Sequence, residues 1–234
     1  PLNNRTVFTF DSRGNKLTET DPMGTVTSYA YNTLNKLTSL RRTSADGTSE
    51  TSESAEYDDA GNLTRLIDGL GNHRDFVYDV QSRLVSSTDF EGHQTIYDYT
   101  AGCPCGSPSK ISYPDGSIKL LEYNSLGQVT KVTDEVGAIT LFGYDANGRK
   151  VTETDHDGNV TRFEYDANGN QVKHTDRLGR IAKFVYNEKN RLVQEIKLLT
   201  NDNDDTNDVI LNYEYDADNH LTAIIDPDGN RTEF

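Results

Sequence analysis

The stretch that decides the fold is YDANGRKVTETDHDGNVTRFE at residues 144–164, followed at once by YDANGNQVKHTDRLGRIAKFV at residues 165–185. Similar copies occupy most of the 234-residue chain, and each opens on an aromatic residue. Six of the nine intervals between successive openers are 21 residues long. The openers are Phe10, Tyr31, Tyr57, Tyr78, Tyr99, Tyr123, Tyr144, Tyr165, Tyr186 and Tyr215. A fixed short period indicates one small unit built many times, so the unit determines the fold.

Composition excludes several classes of protein. The net charge of −15 argues against nucleic acids and anionic membranes as partners, because both require a basic face. No apolar run is long enough to span a bilayer. The hydrophobic share is only 33%, but regularly spaced aromatics argue against disorder. Because the pattern is already under way at the first residues, we expect a fragment of a larger protein, with residues 1–234 forming one repeat array.

Each unit divides into two halves, and each half predicts a short strand and a tight turn. In VTRFEY, Thr161, Phe163 and Tyr165 alternate with Arg162 and Glu164, which places the two sets on opposite faces of a strand. About ten such units predict about twenty strands and no helix. The predicted fold is therefore all-β, a continuous antiparallel β-meander strip of two-strand repeats.

Glycines and aspartates recur where the turns are expected. A glycine there supplies the positive φ that tight hairpin turns require. The aspartate three residues earlier, such as Asp155 before Gly158 or Asp226 before Gly229, is expected to accept the backbone amide two residues after it. The residues assigned to this structural repeat are Tyr57, Gly61, Tyr78, Tyr123, Gly127, Tyr144, Gly148, Gly158, Tyr165, Gly169, Gly179, Tyr186 and Tyr215.

Three inserts break the period, near residues 43–56, 101–112 and 197–208. The strand pattern resumes after each of them, so we expect them to project from an edge of the array. A propeller blade would consume two units as a block of about 42 residues. The inserts shift the phase without pairing the units in twos, which favours an open or spiralling strip.

The recurrent Y-D-x-x-G-N/R-L and T-D-x-x-G-N-x-T-x-F/Y-x-Y resemble the Rhs/YD-repeat family, which includes bacterial Rhs toxins, shell subunits of insecticidal toxin complexes and teneurins. The resemblance covers essentially the whole chain. It implies a sheet that spirals into a hollow β-shell and a structural, non-enzymatic wall segment. The implied partners are the remaining repeats and a C-terminal toxic cargo domain of the same polypeptide, in a secreted or cell-surface bacterial protein. The alternative is an adhesion module that recognises surface proteins or glycans.

Toxin-bearing members of that family end the shell with a D-P-x-G-L-type segment at which the chain cleaves itself. The segment DPDGN at Asp226 matches its first half, but Asn230 stands where the leucine would be. The surrounding residues match an ordinary turn of the repeat. We therefore expect no self-cleavage here, and no catalytic or cofactor-binding residue is predicted.

One insert carries a candidate metal site. Asp202, Asp204, Thr206 and Asp208 alternate, and oxygen ligands at every second position are how an EF-hand loop begins to wrap Ca²⁺. The bidentate glutamate that closes such a loop is not evident, so a solvated acidic loop is the favoured interpretation. Asp155, Asp157 and Asn159 make a weaker match.

The cysteines, histidines and aromatics have structural interpretations. Cys103 and Cys105 lie in one turn, where spare thiols or a strained bridge are both favoured over zinc. The histidines are expected to be exposed at turns and strands; they are His73, His93, His156, His174 and His220. The chain has no Trp, so a Tyr/Phe ladder between neighbouring units is favoured over sugar stacking.

Overall fold

The computed structural model describes residues 5–99, 106–198 and 208–234. These residues form 21 strands, all in antiparallel sheet, and no helix. Consequently, no described segment is a helix long and apolar enough to cross a membrane. The chain divides into two compact units, one ending at Ile118 and the other beginning at Lys119 in the described residues.

The strands of both units are short, mostly five or six residues. The first unit contains β1 (Val7–Phe10), β2 (Lys16–Thr20), β3 (Val26–Tyr31), β4 (Leu37–Thr43), β5 (Glu50–Tyr57), β6 (Leu63–Ile67), β7 (His73–Tyr78), β8 (Leu84–Thr88), β9 (Gln94–Asp98) and β10 (Lys110–Ser112). The second contains β11 (Ile118–Tyr123), β12 (Val129–Thr133), β13 (Ile139–Tyr144), β14 (Lys150–Thr154), β15 (Val160–Tyr165), β16 (Gln171–Thr175), β17 (Ile181–Tyr186), β18 (Leu192–Leu198), β19 (Val209–Tyr215), β20 (Leu221–Ile225) and β21 (Arg231–Glu233).

Within each unit, the strands pair in the order in which the chain makes them. In the second unit β14 pairs with β15 and β15 with β16, both antiparallel, and the same holds in the first unit for β6, β7 and β8. Each 21-residue period therefore supplies two strands and two hairpin turns. The predicted all-β meander of two-strand repeats is confirmed in both units.

Exposed and partly covered side chains alternate along the strands, as the sequence predicts. Few side chains of the sheet, however, are fully buried. In β15, Arg162 and Glu164 are exposed, whereas Phe163 and Tyr165 are partly covered. Ala223 is the one described residue that is fully buried. Most of the stability of the chain therefore comes from pairing and contacts along the sheet surface rather than from an enclosed core.

A β-bulge precedes the opening aromatic of nearly every unit. In the β15–β16 hairpin Glu164 faces Lys173, but Tyr165 faces Gln171, so one residue of β16 is skipped. The same shift occurs at eight other described openers. A bulge changes the direction of the side chain that follows it and increases local twist. The opening aromatic therefore departs from the regular register of its hairpin.

The insert at 43–56 forms strand rather than loop. It lengthens β4 and β5 to seven and eight residues, and β-branched Thr43 and Thr51 suit that conformation. The lengthened hairpin passes between two glycines. A Cβ on Gly24 would lie 3.0 Å from the Cβ of Ala45, and one on Gly69 would lie 3.1 Å from the carbonyl oxygen of Ser52. The insert thus extends the sheet at its edge.

The other two inserts are described only in part. In the 101–112 insert the described residues begin at 106 and lead into β10, and Cys103 and Cys105 lie outside them. In the 197–208 insert β18 continues to Leu198 and residues 199–207 lie outside the description.

Candidate functional site

The chemically distinctive site of this chain is the hairpin turn, which recurs with the same internal contacts. In the turn at Asp145, Oδ1 accepts the amides of Asn147 and Arg149, both at 2.9 Å, and Oδ2 accepts Arg149 Nε at 2.7 Å. The amide of Gly148 donates to the Asp145 carbonyl at 3.0 Å. Gly148 has φ of 79°, the left-handed residue that follows a tight turn in this type of hairpin.

The predicted Asx-turns are confirmed. Asp155 accepts the amide of Asp157 at 3.0 Å, and Asp226 accepts that of Asp228 at 3.0 Å. The predicted turn glycines have positive φ; they are Gly61, Gly127, Gly148, Gly158, Gly169 and Gly179. At the same turn position, Asn35, Asn190 and Asn219 replace glycine with φ between 57° and 73°. The aspartates and glycines are therefore required by the turn.

The turn contacts stabilise the ionised aspartates. The amide and guanidinium of Arg149 lower the pKa of Asp145, and the Asn159 side chain and amide lower that of Asp155. In the longer β4–β5 hairpin, the Ser44 hydroxyl and the amide and hydroxyl of Thr48 lower the pKa of Asp46 to about 2. Each of these carboxylates accepts hydrogen bonds from its own turn, which favours its ionised form.

Counting the turn aspartate as the first residue, an arginine at the fifth position of the turn connects one unit to the next. The Arg149 guanidinium lies 4.8 Å from the Tyr165 ring centroid, and Nη1 donates to the Asp166 carbonyl at 3.0 Å. Arg83 contacts the Tyr99 ring in the same way at 4.3 Å. Cation–π contacts of this kind contribute roughly 0.5–1 kcal/mol at exposed sites. Asp145 therefore orients a side chain that holds the following repeat.

The opening tyrosines connect units through their hydroxyl groups. Tyr165 donates to the Lys150 carbonyl at 2.9 Å and Tyr144 donates to that of Val129 at 2.8 Å, each fifteen residues earlier. The same bond occurs from Tyr31, Tyr57, Tyr99 and Tyr215. The tyrosines thus join neighbouring units through hydroxyl–carbonyl bonds and arginine contacts, whereas the sequence predicted a ladder of packed rings.

One arginine of this series has no turn aspartate to accept a hydrogen bond from its guanidinium. The turn at Asn187 carries asparagine where Asp145 and Asp79 stand in theirs, and Arg191 occupies the fifth position. Arg191 still contacts the Tyr215 ring at 5.0 Å and donates to the Asp216 carbonyl at 3.2 Å. Its Nε, however, is buried without a hydrogen-bond partner. A buried unpaired donor destabilises a protein.

We expect Asn187→Asp to stabilise the chain. The new carboxylate keeps the acceptor that receives the amides of Lys189 and Arg191, and adds one for Arg191 Nε. A charge-assisted bond to a previously unpaired donor contributes about 1–2 kcal/mol. Thermal melting at neutral pH measures the gain. Asn124→Asp is the control, since its fifth residue is Gln128 and no orphaned guanidinium is present there. An equal gain at both positions would contradict the assignment.

Two units carry a lysine–glutamate pair that lies among aromatic rings. Lys150 Nζ is 2.6 Å from Glu153 Oε2 and 4.9 Å from the Phe163 ring. Lys16 repeats the arrangement with Glu19 at 2.6 Å and the Tyr29 ring at 4.5 Å. Other units carry leucine pairs at these positions, namely Leu37 with Leu40 and Leu63 with Leu66. The ion pair therefore substitutes for an apolar pair.

We expect the double variant Lys150→Leu/Glu153→Leu to melt at or above the temperature of the unmodified chain. Replacing a partly buried ion pair by well-packed apolar residues is often neutral or stabilising, whereas removing one partner leaves an unpaired charge. Lys150→Leu alone should therefore lower the melting temperature. A double variant that melts below the unmodified chain would refute the prediction.

The predicted calcium ligands fall mainly outside the described residues. Asp202, Asp204 and Thr206 lie there, and Asp208 directly precedes β19. The site stays a prediction. In the weaker candidate, the Asp155 carboxylate accepts the amides of Asp157 and Asn159 and the Asn159 side chain.

A different cluster was not anticipated. Asp89, Glu91 and His93 bring their ligand atoms within 4.8 Å of one another on an exposed turn. The D-x-E-x-H spacing in the sequence could have indicated this cluster, because alternate residues of this turn lie close together. Asp89 already accepts the amides of Glu91 and His93, with the His93 ring 3.2 Å from its second oxygen.

The arginines and asparagines at the fifth turn position were also not anticipated as a set. Asn62, Asn170 and Asn230 each donate from Nδ2 to Oδ2 of their turn aspartate, at 2.8–2.9 Å. Their recurrence after the glycine was visible in the sequence, but their role depends on a turn geometry that only the structure provides.

The repeat matches a known sequence family. The sequence pattern of the family described as RHS Repeat matches residues 10–49, 57–95, 123–160, 150–181 and 165–201, together about two thirds of the chain. No curated protein matches the chain.

Solved toxin-complex structures have a similar fold. The crystal structure of TcdB2-TccC3 aligns with a TM-score of 0.71 over 94% of this chain at 15% identity. The same pair without its hypervariable C-terminal region gives 0.63 over 96% at 16% identity. A structure of the Photorhabdus luminescens Tc holotoxin pore gives 0.54 over 98% at 15% identity. The chain spans only 13%, 11% and 15% of the lengths of those chains, respectively.

Proposed function

Because this chain belongs to the RHS repeat family, we propose that it is a segment of the wall of a β-shell that encloses a C-terminal toxic domain of the same polypeptide. In this role it is structural rather than enzymatic, and its parent is a secreted or surface-exposed bacterial protein. Its partners are the neighbouring repeats and the enclosed domain.

The observation that carries the proposal is that the described part of the sheet buries almost no residue completely. A self-contained binding or catalytic domain would bury a core, but only Ala223 is fully buried in the described residues. The alignment with part of the TcdB2-TccC3 chain agrees with this, since another structure of that pair is described as lacking a hypervariable C-terminal region.

The turn network suits the same role. The aspartate carboxylates are occupied within their own turns, and arginine and tyrosine connect each unit to the next. These contacts hold a thin sheet together without an enclosed core.

Limited proteolysis of the polypeptide from the complete open reading frame tests the proposal. We expect the region that follows the repeats to resist protease while the wall is intact. Substituting Asp145 and Asp166 together by alanine should open the wall locally and speed cleavage of that region. The matched control replaces both by asparagine, which retains the amide acceptor. Equal sensitivity of the C-terminal region in the intact and weakened proteins would refute enclosure, as would a reading frame that ends in repeats.

A further inference from the structure

One edge of the sheet presents an unusual row of side chains. Alternate hairpins of an antiparallel meander turn at the same edge, and the turns from an even-numbered strand to the next odd one share it in each unit. We call the third residue of each such turn a tip residue. In the first unit the tip residues are Met23, Asp46, Leu70, Glu91 and Asp115, and in the second they are Val136, Asp157, Leu178 and Asp228. Each described tip residue of this edge is either acidic or a large apolar residue.

The opposite edge does not share this composition. Its third turn residues are Arg13, Leu34, Ala60, Gln81, Leu126, Asn147, Asn168, Lys189 and Asp218. These include basic, amide and small side chains. The two edges use the same turn geometry, so the geometry alone does not explain the acidic and apolar row.

The apolar tip residues are unusually exposed. Val136 is 88% exposed and Leu178 is 70% exposed, while Asp157 between them has a side chain that is 68% exposed. Tight turns favour Gly, Asn, Asp and Ser at such positions, and an exposed valine or leucine adds nothing to the turn itself. Val136, Asp157 and Leu178 belong to three successive hairpins with strands of equal length, five residues entering and six leaving.

The spacing of these three hairpins matches an extended peptide. Successive turns at one edge are two strands apart, about 9.6 Å. A polyproline II segment advances about 9.3 Å in three residues and presents every third side chain on the same side. A row that reads apolar, acidic, apolar is therefore complementary to a segment that reads apolar, basic, apolar at every third residue.

We propose that this edge of the second unit, at Val136, Asp157 and Leu178, binds an extended basic and apolar segment of a protein partner in the polyproline II conformation. The acidic tip pairs with a lysine or arginine, and the two apolar tips contact aliphatic residues on either side of it. The net charge of −15 attracts a basic partner from solution. This inference does not depend on enclosure of a toxic domain.

The test uses the full chain and two fluorescent peptides of identical composition, LPPKPPLPPKPPL and PPPLPKPLPKPLP. The first places leucine and lysine at every third residue and the second at every second residue. Fluorescence anisotropy at low ionic strength should show binding of the first peptide at least about fivefold tighter than of the second. Equal affinity for the two peptides would show that charge attraction alone explains the binding, which would overturn the proposal. No binding of the first peptide would overturn it as well.

Matched variants locate the site. Leu178→Ser and Asp157→Asn should each weaken binding of the first peptide by about threefold or more. Leu126→Ser and Asp218→Asn make the same changes at the opposite edge, where Leu126 is 71% exposed, and should leave the affinity unchanged. Circular dichroism verifies that all four variants keep the sheet. Equal losses from both edges would overturn the assignment.

Discussion

Acidification is expected to unfold this protein between about pH 4 and about pH 2, while its stability changes little from pH 7 to pH 4. The reason is the set of turn aspartates, whose pKa is lowered in the folded chain by the amides and side chains they accept. They are Asp11, Asp21, Asp46, Asp58, Asp68, Asp79, Asp89, Asp115, Asp145, Asp155, Asp166, Asp176, Asp216 and Asp226.

The sign follows from proton linkage. A carboxyl group whose folded pKa lies below its unfolded value stabilises the native state above the unfolded value. That contribution is lost as pH falls through the folded pKa. The unfolded pKa here is 3.8 and the folded pKa of Asp46 is about 2, so the loss at that turn falls between these two values. Many turns lose their acceptor in the same range, so the loss should be steep.

Far-ultraviolet circular dichroism from pH 7 to pH 2 measures the transition. Asp145→Asn, Asp155→Asn and Asp166→Asn combined should make stability depend less on pH, because asparagine keeps the amide acceptor without titrating. Asn32 and Asn124 already fill this position in their own turns. Added salt separates charge repulsion from the loss of turn bonds, since repulsion between exposed charges is screened. A native spectrum at pH 2 would show that the turn contacts are not needed.

Gly158→Val should destabilise the β14–β15 hairpin by about 1–3 kcal/mol, whereas Gly158→Asn should have a much smaller effect. Gly158 has φ of 83°, and a Cβ there would meet no atom within 4 Å. Steric crowding by neighbours is therefore absent, and the loss arises from the backbone conformation alone. A β-branched residue is poorly tolerated at positive φ, but asparagine visits that region readily.

The chain contains its own precedent for that difference, because Asn35, Asn190 and Asn219 occupy the corresponding position of other turns. Hydrogen exchange of residues 150–165, compared with residues 129–144, measures the local loss. In a repeat array the effect should be concentrated in the altered hairpin and its neighbours. Equal exchange in the valine and asparagine variants would contradict the backbone explanation.

The secondary structure could be predicted from the sequence because its determinants are local. Alternation in segments such as VTRFEY and the D-x-x-G turns act within a few residues, and both are borne out by β15 and by the bonds at Asp155. The bulge before Tyr165 could not be predicted in this way, since register depends on two strands at once.

The residues that connect neighbouring units could not be predicted from the sequence either, because their contacts join separate turns. The contact of Arg149 with Tyr165 joins residues sixteen apart, and its partners at Asp145 and Asp166 belong to two turns. The missing acceptor of Arg191 becomes visible only by comparison with those turns. The insert at 43–56 has the composition of a loop but forms strand, because residues 39–43 pair with residues 50–54 across the β4–β5 hairpin.

The pairing of each strand with its neighbours in sequence has a consequence for synthesis. A hairpin such as β13–β14 is complete within about twenty residues of chain, and hairpins close in roughly 1–10 μs. Ribosomes add about 5–20 residues per second, so each hairpin has about half a second or more to form before the next one is complete. No described pairing waits for a distant segment. The sheet can therefore grow vectorially, and the bulge in each hairpin that carries one helps to pin the register of that hairpin.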